Sequence, residues 1–225
     1  MLYSPKLFQE FEYINAAIGF KSLPEDELLH SVLIPIHEND IPGDVVCLKQ
    51  IHGDKIYDIV EKSAISDIGG KEGDGFVTIM DNVVLQICTA DCAPIALFDI
   101  DGSAIALLHA GWRGIEAGII EKGIFKLLTQ EIQSERLFAY IGPTIGKLDY
   151  EVSDEFQTKF PDSIIQKDGR FFLDISGEIC KRLEKQGVVR IARFPLSTYS
   201  TNWIHSYRRD RENTGRNFFY LWKTL

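Results

Sequence analysis

The stretch that decides the fold spans residues 83–129 and reads VVLQICTADCAPIALFDIDGSAIALLHAGWRGIEAGIIEKGIFKLLT. Three of its apolar runs, Val83 to Thr89, Ile95 to Asp99 and Ala104 to His109, have the length and composition of strands. From Gly114 to Thr129 the apolar residues recur at helical spacing, which predicts an amphipathic helix. The stretch therefore predicts a mixed β-sheet with a helix packed against it.

Further strands are predicted on both sides of this stretch, because short apolar runs alternate there with turn residues. These strands are Val45 to Ile51, Ile56 to Val60, Gly75 to Met80, Leu137 to Ile141, Val188 to Phe194 and Asn217 to Leu221. Together with the central stretch they predict an α+β fold, in which mixed β-sheets have helices against them. The length of 225 residues fits a single domain spanning residues 1–225.

Short helices are also predicted, at Glu25 to Leu29, at Ser153 to Thr158, and from Asp174 or Ser176 to near Gly187. Ser153 is a candidate N-cap, because its hydroxyl can accept from a free N–H of the first turn, and Asp174 can do the same. Gly187 suits the left-handed position that follows many helices. The first 40 residues are otherwise loosely patterned, apart from an apolar run at residues 32–36.

The overall charge and the cysteines restrict the class of protein. A net charge of −9 would repel nucleic acid phosphates and anionic lipid. No segment approaches the roughly 20 apolar residues that span a bilayer, and the N-terminus does not resemble a secretory signal. Four irregularly spaced cysteines are too few for a disulfide framework. We expect a cytoplasmic protein that binds a small molecule, with no nucleic acid or membrane partner and no signal for an oligomeric state.

Four short segments combine reactive side chains with predicted strand ends or loops. They are Gln50-Ile51-His52-Gly53, Thr89 to Pro94, Leu108 to Gly114, and Ser206 to Asp210 with Thr214 to Arg216. His52, Cys92 and His109 are suitable zinc ligands, because imidazole nitrogen and thiolate sulfur match this ion and three protein ligands leave one position for water. Zinc lowers the pKa of that water to about 7.

Each of these residues also has an ordinary structural interpretation. A single cysteine among strands is commonly a small core residue, and a histidine at a strand end is commonly hydrogen-bonded at the surface. Gly111 and Gly114 fit a tight strand-to-helix turn, or free N–H groups there could bind an anion with help from Arg113. Arg208 and Arg209 fit either an anion site or a solvated loop. Residue chemistry alone leaves these alternatives open.

Taken together, six segments in this order resemble the YfiH family. Its members have been described as polyphenol oxidase or laccase-domain proteins, as peptidoglycan editing factors and as multifunctional purine nucleoside phosphorylases. The matching segments, which cover roughly residues 45–220, are Gln50-x-His52-Gly53, Gly73 to Thr78, Ala90-Asp91-Cys92-x-Pro94, His109 to Gly114, Ile141-Gly142-Pro143-x-Ile145-Gly146 with Tyr150-Glu151-Val152, and Ser206 to Asp210 with Thr214 to Arg216.

The resemblance implies a metal site of His52, Cys92 and His109 that holds zinc, with copper as the weaker choice. It implies an enzyme that splits adenosine, inosine or methylthioadenosine with phosphate and also deaminates adenosine. The implied fold is a mixed α/β sandwich, similar to the catalytic domain of a deamidating bacterial toxin whose site is a Cys-His pair. His52, Cys92 and His109 would then be catalytic, with Asp91 as the proton-shuttling carboxylate and Asp74 as the second choice.

The hypothesis of a purine nucleoside enzyme also names substrate-binding residues. Arg113 and Arg208 or Arg209 would hold phosphate by bidentate hydrogen bonds, and Gln50 and Tyr207 complete the predicted set.

Two positions depart from the family pattern. Residues 15–21 lack the Arg that members usually carry before paired glycines, and Thr144 stands where a Cys often follows Ile-Gly-Pro. If the family's Arg holds phosphate or substrate, its absence from this chain would affect phosphorolysis rather than the metal site.

Three other functions remain open at this point. A metal-free hydrolase would use Cys92 as nucleophile and His109 as base, on an amide or a peptidoglycan precursor. A copper-dependent polyphenol oxidase would use the same three ligands, since copper outcompetes zinc at many such sites. Multicopper chemistry, however, needs many more histidines than the five present. A metal-storing or partner-binding module would have no turnover at all.

Overall fold

The structure is a computed structural model that describes residues 2–22 and 31–224. The strands within these ranges are β1 Leu2–Pro5, β2 Ile14–Gly19, β3 Leu33–Ile36, β4 Asp44–Cys47, β5 Ile56–Ile59, β6 Gly75–Thr78, β7 Val83–Thr89, β8 Ala93–Asp99, β9 Ile105–Ala110, β10 Leu137–Ile141, β11 Glu151–Val152, β12 Ile164–Lys167, β13 Arg170–Leu173, β14 Arg190–Arg193 and β15 Asn217–Lys223. The α-helices are α1 Ser63–Ile68, α2 Trp112–Glu116, α3 Ile119–Leu128, α4 Phe156–Lys159, α5 Ile175–Lys185 and α6 Tyr207–Asp210. Among the described residues, no helix is both long and apolar enough to cross a membrane.

Two six-stranded mixed sheets form the body of the fold. The first has the order β3-β1-β2-β15-β7-β4, and the second has the order β14-β10-β8-β9-β6-β5. Most neighbouring strands are antiparallel, but β4 and β7, β5 and β6, and β10 and β14 are parallel pairs. A small third sheet, β11-β13-β12, lies outside the two large ones.

The two large sheets pack face to face, and helices cover the outer face of the second sheet. Strand β8 shows this arrangement, because alternate side chains of a strand point to opposite faces. Ala96 and Phe98 belong to the core between the sheets, whereas Ile95 and Leu97 belong to the core under α3 and α5. With both of its faces covered, β8 is buried along its whole length. The predicted α+β sandwich is confirmed.

The core between the sheets gives a first testable prediction. Phe98 is fully buried, and its ring centroid lies 4.8 Å from that of Phe11 and 5.3 Å from that of Phe138. We expect Phe98→Ala to lower the free energy of unfolding by about 3–5 kcal/mol in urea denaturation, because it leaves a cavity. Phe125, which is 67% exposed on α3, is the matched control. Its alanine variant should change stability by about 0.5 kcal/mol or less, and equal losses would contradict this account.

The predicted helix from Gly114 to Thr129 is wrong in its outline, because the chain forms two helices there. The first, α2, already begins at Trp112, and the second, α3, begins at Ile119. Gly118 separates them with a φ of 89°, a left-handed conformation that interrupts a helix and suits glycine. Because the chain turns at Gly118, the first residues of α2 can lie directly after the end of β9.

The two later helices differ from the prediction to different degrees. Ser153 does not cap a helix, because α4 begins only at Phe156 and the Ser153 hydroxyl donates to the Glu155 carboxylate. The helix predicted from Asp174 or Ser176 to near Gly187 is confirmed as α5. Asp174 caps it by accepting a hydrogen bond from the Gly177 N–H at 2.8 Å, and Gly187 follows it with a φ of 86°.

The sequence patterns did not predict strands β1, β2, β11, β12 and β13. The loosely patterned first 40 residues form β1 and β2 as well as β3, which occupies the predicted apolar run. The helical piece predicted at residues 25–29 lies outside the described residues. Strands β12 and β13 form a hairpin across Asp168-Gly169, both with positive φ, and an Asp-Gly pair is the sequence signal that would have located it.

Candidate metal centre and its cleft

Strand pairing brings together three residues that are far apart in the sequence. Strands β8 and β9 are antiparallel, and Ala93 pairs with Ala110, so Cys92 lies at the end of β9 that carries His109. The pairing of β6 with β9 places Gly75 opposite Leu108. Asp74, which precedes Gly75, therefore reaches His109. His52 comes from the turn between β4 and β5.

The side chains of His52, Cys92 and His109 converge on one point. Their ligand atoms all lie within 4.8 Å of one another. His109 is 2% exposed, Cys92 is half-buried, and His52 is exposed. Among the residues that the structure describes, this is the one group of three or more His, Cys, Asp or Glu side chains close enough to share an ion. The predicted trio is therefore placed together.

Asp74 orients two members of the trio through its fully buried carboxylate. Its Oδ1 accepts from His109 Nδ1 at 2.8 Å and from the His52 N–H at 2.9 Å. Its Oδ2 accepts from the N–H groups of Gly53 at 2.7 Å and Ile51 at 3.3 Å. With Nδ1 donating to Asp74, His109 presents its Nε2 to the centre. Carboxylates fix metal-binding histidines in this way in many proteins.

The same contacts favour the thiolate form of Cys92. Burial raises the pKa of the Cys92 thiol, but the charge and hydrogen bonds of His109 and His52 outweigh burial and lower it. Burial lowers the pKa of His109, but Cys92 and Asp74 outweigh burial and raise it. The thiolate is the form that binds metals or attacks an electrophile.

These residues fit a zinc ion in donor type and in the space around them. Two imidazoles and one thiolate are a donor set that zinc takes with three protein ligands. Gly111 keeps the centre open, because a Cβ at this position would lie 3.0 Å from Cys92 Sγ and 3.3 Å from His52 Cδ2.

The close approach at Gly111 gives a second prediction. We expect Gly111→Ala to weaken zinc binding, because its methyl group pushes Cys92 Sγ and the His52 ring out of position. Displacement of ligands or of their supports typically weakens metal binding by about 10–100-fold. Competition with a chromogenic chelator measures this affinity. Gly69→Ala, at an exposed position where the added Cβ would lie 3.4 Å from the Ile65 carbonyl oxygen, is the control. An unchanged affinity in Gly111→Ala would contradict the prediction.

The trio lines a cleft of about 580 Å³. Most of the predicted substrate-binding residues line this cleft. The lining includes Gln50, Asp91, Trp112, Arg113, Tyr150, Tyr207, Arg208, Arg211 and Arg216. The volume is within the usual range for small-molecule sites.

Gln50 lines the cleft, but both ends of its amide are already engaged by the protein. Its Nε2 donates to the Cys88 carbonyl, and its Oε1 accepts from the Cys88 N–H, each at 2.8 Å. The Gln50 side chain thus joins the His52 turn to the end of β7 and acts as a positioning residue.

Asp91 also holds the walls of the cleft together. Its Oδ1 accepts from the Thr198 hydroxyl at 2.5 Å, and its Oδ2 accepts from the Arg208 N–H at 2.6 Å. Its backbone carbonyl accepts from the hydroxyl of Thr144, the residue that departs from the family pattern. Its φ of 93° is rare outside glycine, and such strain persists where the surrounding contacts enforce it.

Arg209 does not line the cleft, so its expected role in phosphate binding does not fit. Its Nε and Nη2 donate to the Asp210 carboxylate, and Nη2 also donates to the Ile204 carbonyl. Its Nη1 donates to carbonyls of Thr198, Tyr199 and Thr201. The guanidinium anchors the loop before α6. Its neighbour Arg208, in contrast, reaches the cleft.

Tyr150 is a cleft residue that the sequence arguments did not select. The Arg208 guanidinium lies 5.1 Å from the centroid of its ring. Burial, with smaller effects of nearby charges, raises the pKa of its phenol to about 12, so it stays a hydrogen-bond donor at neutral pH. The family-like segment at residues 150–152 was the available signal. Trp112, whose ring centroid lies 4.3 Å from the Arg113 guanidinium, is another cleft residue that was not predicted as part of the site.

The fold and the site together define a class of protein, an α+β sandwich with a His-Cys-His centre in an arginine-lined cleft. The sequence model of the family described as "Multi-copper polyphenol oxidoreductase laccase" matches residues 34–224. This chain belongs to that family, the YfiH family.

Curated relatives and solved structures agree with this assignment. "Purine nucleoside phosphorylase" of Aquifex aeolicus is 33% identical over 162 residues, covering 72% of this chain and 75% of the relative. "Purine nucleoside phosphorylase YfiH" of Escherichia coli is 30% identical over 191 residues, covering 81% and 75%. The crystal structure of Bacillus licheniformis hypothetical protein YfiH superposes with a TM-score of 0.80 at 24% identity, covering 96% and 94%, and shares the fold.

Proposed function

We propose that this protein is a zinc-dependent purine nucleoside enzyme, which splits adenosine, inosine or methylthioadenosine with phosphate and also deaminates adenosine. The observation that carries the proposal is the convergence of His52, Cys92 and His109 in a cleft whose volume of about 580 Å³ suits a small molecule. The relatives named purine nucleoside phosphorylase, at 30–33% identity, support it. We further propose one catalytic domain over residues 1–225, a cytoplasmic location and small-molecule partners.

In this proposal His52, Cys92 and His109 hold the zinc ion. The bound ion would supply a Lewis acid and, in deamination, a water of lowered pKa. Asp74 keeps His109 in the tautomer whose Nε2 faces the ion, and it holds the turn that carries His52. The thiolate of Cys92 is favoured before any ion binds, because both imidazoles lower its pKa against the effect of burial.

Arginines of the cleft are the groups that would hold phosphate. The guanidinium of Arg113 stacks on Trp112 and donates no hydrogen bond to another described residue, so its donors are available. Arg208 uses Nη1 for the Glu151 carbonyl and keeps further donors. Planar guanidinium groups match a phosphate bidentately. Tyr207, which is 47% exposed, offers an aromatic surface at the rim for a purine.

Phosphorolysis fits the cleft better than deamination. A deaminase needs a carboxylate that exchanges protons with the substrate. Asp91 is the carboxylate among the described lining residues, and each of its oxygens already accepts a hydrogen bond from Thr198 or Arg208. Residues 15–21, which lack the family's Arg, form β2 and its end, and none of them lines the cleft.

The proposal is tested by incubating the zinc-loaded protein with adenosine, with and without phosphate, and separating the products by chromatography. Phosphorolysis yields adenine only when phosphate is present, whereas deamination yields inosine in both samples. Metal analysis of the same preparation gives the zinc content. A preparation with stoichiometric zinc that forms neither adenine nor inosine would overturn the proposal.

A metal-free cysteine hydrolase is the second candidate, and one observation favours it. Cys92 Sγ and the ligand nitrogens of His52 and His109 lie within 4.8 Å of one another, and both histidines lower the pKa of the thiol, as a thiol nucleophile requires. Its substrate would be an amide or a peptidoglycan precursor. Rapid alkylation of Cys92 at neutral pH in protein purified without metal would favour this candidate, and stoichiometric zinc that protects Cys92 would exclude it.

Copper is the metal named in the family's description, so the metal analysis must include it. The described residues bring together one group of three possible ligands, and the whole chain has five histidines. Coupled copper centres need more ligands than this, so a polyphenol oxidase ranks below the zinc enzyme. Protein that binds metal but turns over no nucleoside, amide or phenol would be a metal-storing module.

A further inference from the structure

The cleft concentrates positive charge in a chain whose net charge is −9. Arg113, Arg208, Arg211 and Arg216 line it, and they face the single carboxylate of Asp91 among the described lining residues. Both oxygens of that carboxylate already accept hydrogen bonds. A cleft lined by one sign of charge attracts ligands of the opposite sign. Four arginines exceed what one phosphate needs.

The arginines stand in two places. The Arg113 guanidinium lies 4.3 Å from the ring centroid of Trp112, and the Arg208 guanidinium lies 5.1 Å from the ring centroid of Tyr150. Arg216 precedes Asn217, which pairs with Thr89 at the end of β7, and Arg211 lies five residues earlier on the same segment of the chain. The first pair is the phosphate site of the proposed function, and Arg216 belongs to a different part of the wall.

Arg211 and Arg216 keep most of their hydrogen-bond donors free. Arg216 donates from Nη1 to the Gly215 carbonyl at 2.9 Å and makes no other side-chain hydrogen bond within the described residues. The Arg211 guanidinium makes none with the described part of the chain. Each guanidinium offers five N–H donors in a fixed plane. Both side chains line the cleft, so a ligand there can use these donors.

The backbone that carries these two arginines is held firmly. The Ser206 hydroxyl accepts from the Arg209 N–H, and the Arg209 guanidinium ties the segment to four carbonyls. At the other end, the Gly215 N–H donates to His205 Nδ1. Arg211 itself has a φ of 54°, a strained conformation for a residue with a side chain. A pre-organised loop lowers the entropy cost of binding.

We propose that Arg211 and Arg216 form a second phosphate-binding subsite, which takes a phosphate ester carried on the sugar of the ligand. Purine nucleoside monophosphates then bind in the same cleft as nucleosides, with the ester phosphate on Arg211 and Arg216. Inorganic phosphate remains with Arg113 and Arg208. This inference rests on the proposed nucleoside function for the position of the purine.

The test measures binding of adenosine and adenosine 5′-monophosphate to the zinc-loaded protein by isothermal titration calorimetry. We expect the monophosphate to bind at least about 10-fold more tightly, since charge-assisted hydrogen bonds are the strong ones. The Arg211→Gln/Arg216→Gln double variant should lose this preference and keep its affinity for adenosine. Arg190→Gln, which removes an exposed charge on β14, is the matched control and should keep the preference.

Each result decides the question. Equal binding of the two ligands by the wild-type protein overturns the subsite, as does a preference that survives in the double variant with unchanged melting temperature. If the double variant instead raises the KM for inorganic phosphate, and Arg113→Gln does not, the subsite serves the free ion and the proposal is wrong. If the double variant melts early, Arg211→Lys/Arg216→Lys keeps the charges and must retain a measurable preference. Tight monophosphate binding without any turnover of adenosine would contradict the proposed function alone.

Discussion

Cys92→Ala is expected to abolish zinc binding and nucleoside phosphorolysis together. The substitution removes the single thiolate of the trio and leaves two imidazoles, of which His52 is exposed. We expect less than one tenth of the wild-type zinc content after dialysis, and a fall in kcat/KM of at least about 10³-fold, the size seen when a principal catalytic group is lost. Elemental analysis and the adenosine assay on the same sample measure both quantities.

Cys180→Ala is the matched control for this experiment. Cys180 is half-buried on α5, packs against the helix-side core and belongs to no ligand group among the described residues. Its variant should keep full zinc content and activity, with only a small loss of stability. Full phosphorolysis activity in Cys92→Ala would contradict the proposal that the trio is the active site. Activity lost while zinc is retained would instead favour Cys92 as a nucleophile.

Asp74→Asn is expected to have the second-largest effect, although Asp74 does not touch the centre itself. The carboxylate accepts four hydrogen bonds, two on each oxygen, from His109, Ile51, His52 and Gly53. An asparagine amide has one accepting oxygen, so at least two of these donors lose their acceptor. We expect zinc affinity to fall by about 10–100-fold. The free energy of unfolding should fall by about 2–4 kcal/mol, since each unsatisfied buried donor costs about 1–3 kcal/mol.

The control for Asp74→Asn is Asp67→Asn. Asp67 is exposed near the end of α1, so the same loss of charge occurs away from the site. Chelator competition and urea denaturation, applied to both variants, separate the local effect from the change in net charge. Wild-type zinc affinity in Asp74→Asn would show that the buried carboxylate does not position His109.

The ligand residues of the centre could be predicted from the sequence, but the strand pairing that brings them together could not. The chemistry of a metal ligand singles out His52, Cys92 and His109. The family-like segments then predict that the three act as one site. Their proximity depends on the register that sets Ala93 against Ala110, and a pairing of distant strands leaves no local pattern in the sequence. Asp74 was predicted only as the second choice for a proton-shuttling carboxylate, and its hydrogen bond to His109 depends on a strand pairing of the same kind, that of β6 with β9.

Two of the predicted substrate-binding side chains bind the backbone in the structure. Arg209 and Gln50 have the chemistry of ligand-binding residues, but the structure uses their polar atoms to bind loop carbonyls and the backbone of Cys88. Local sequence does not reveal which polar atoms are already satisfied. Strand β2 was missed because Ala16, Ala17 and Gly19 have low strand propensity, and its burial in the sheet outweighs that preference.

The position of β15 has a consequence for how the protein matures on the ribosome. This strand lies between β2 and β7, and it pairs with β2 along residues 218–223. It is also the last described strand to be synthesised. A nascent chain therefore carries β2 and β7 with one unpaired edge each until residues 217–223 have left the exit tunnel. Unpaired strand edges invite association between chains, so translation arrest shortly before residue 217 should yield products that depend on chaperones for solubility.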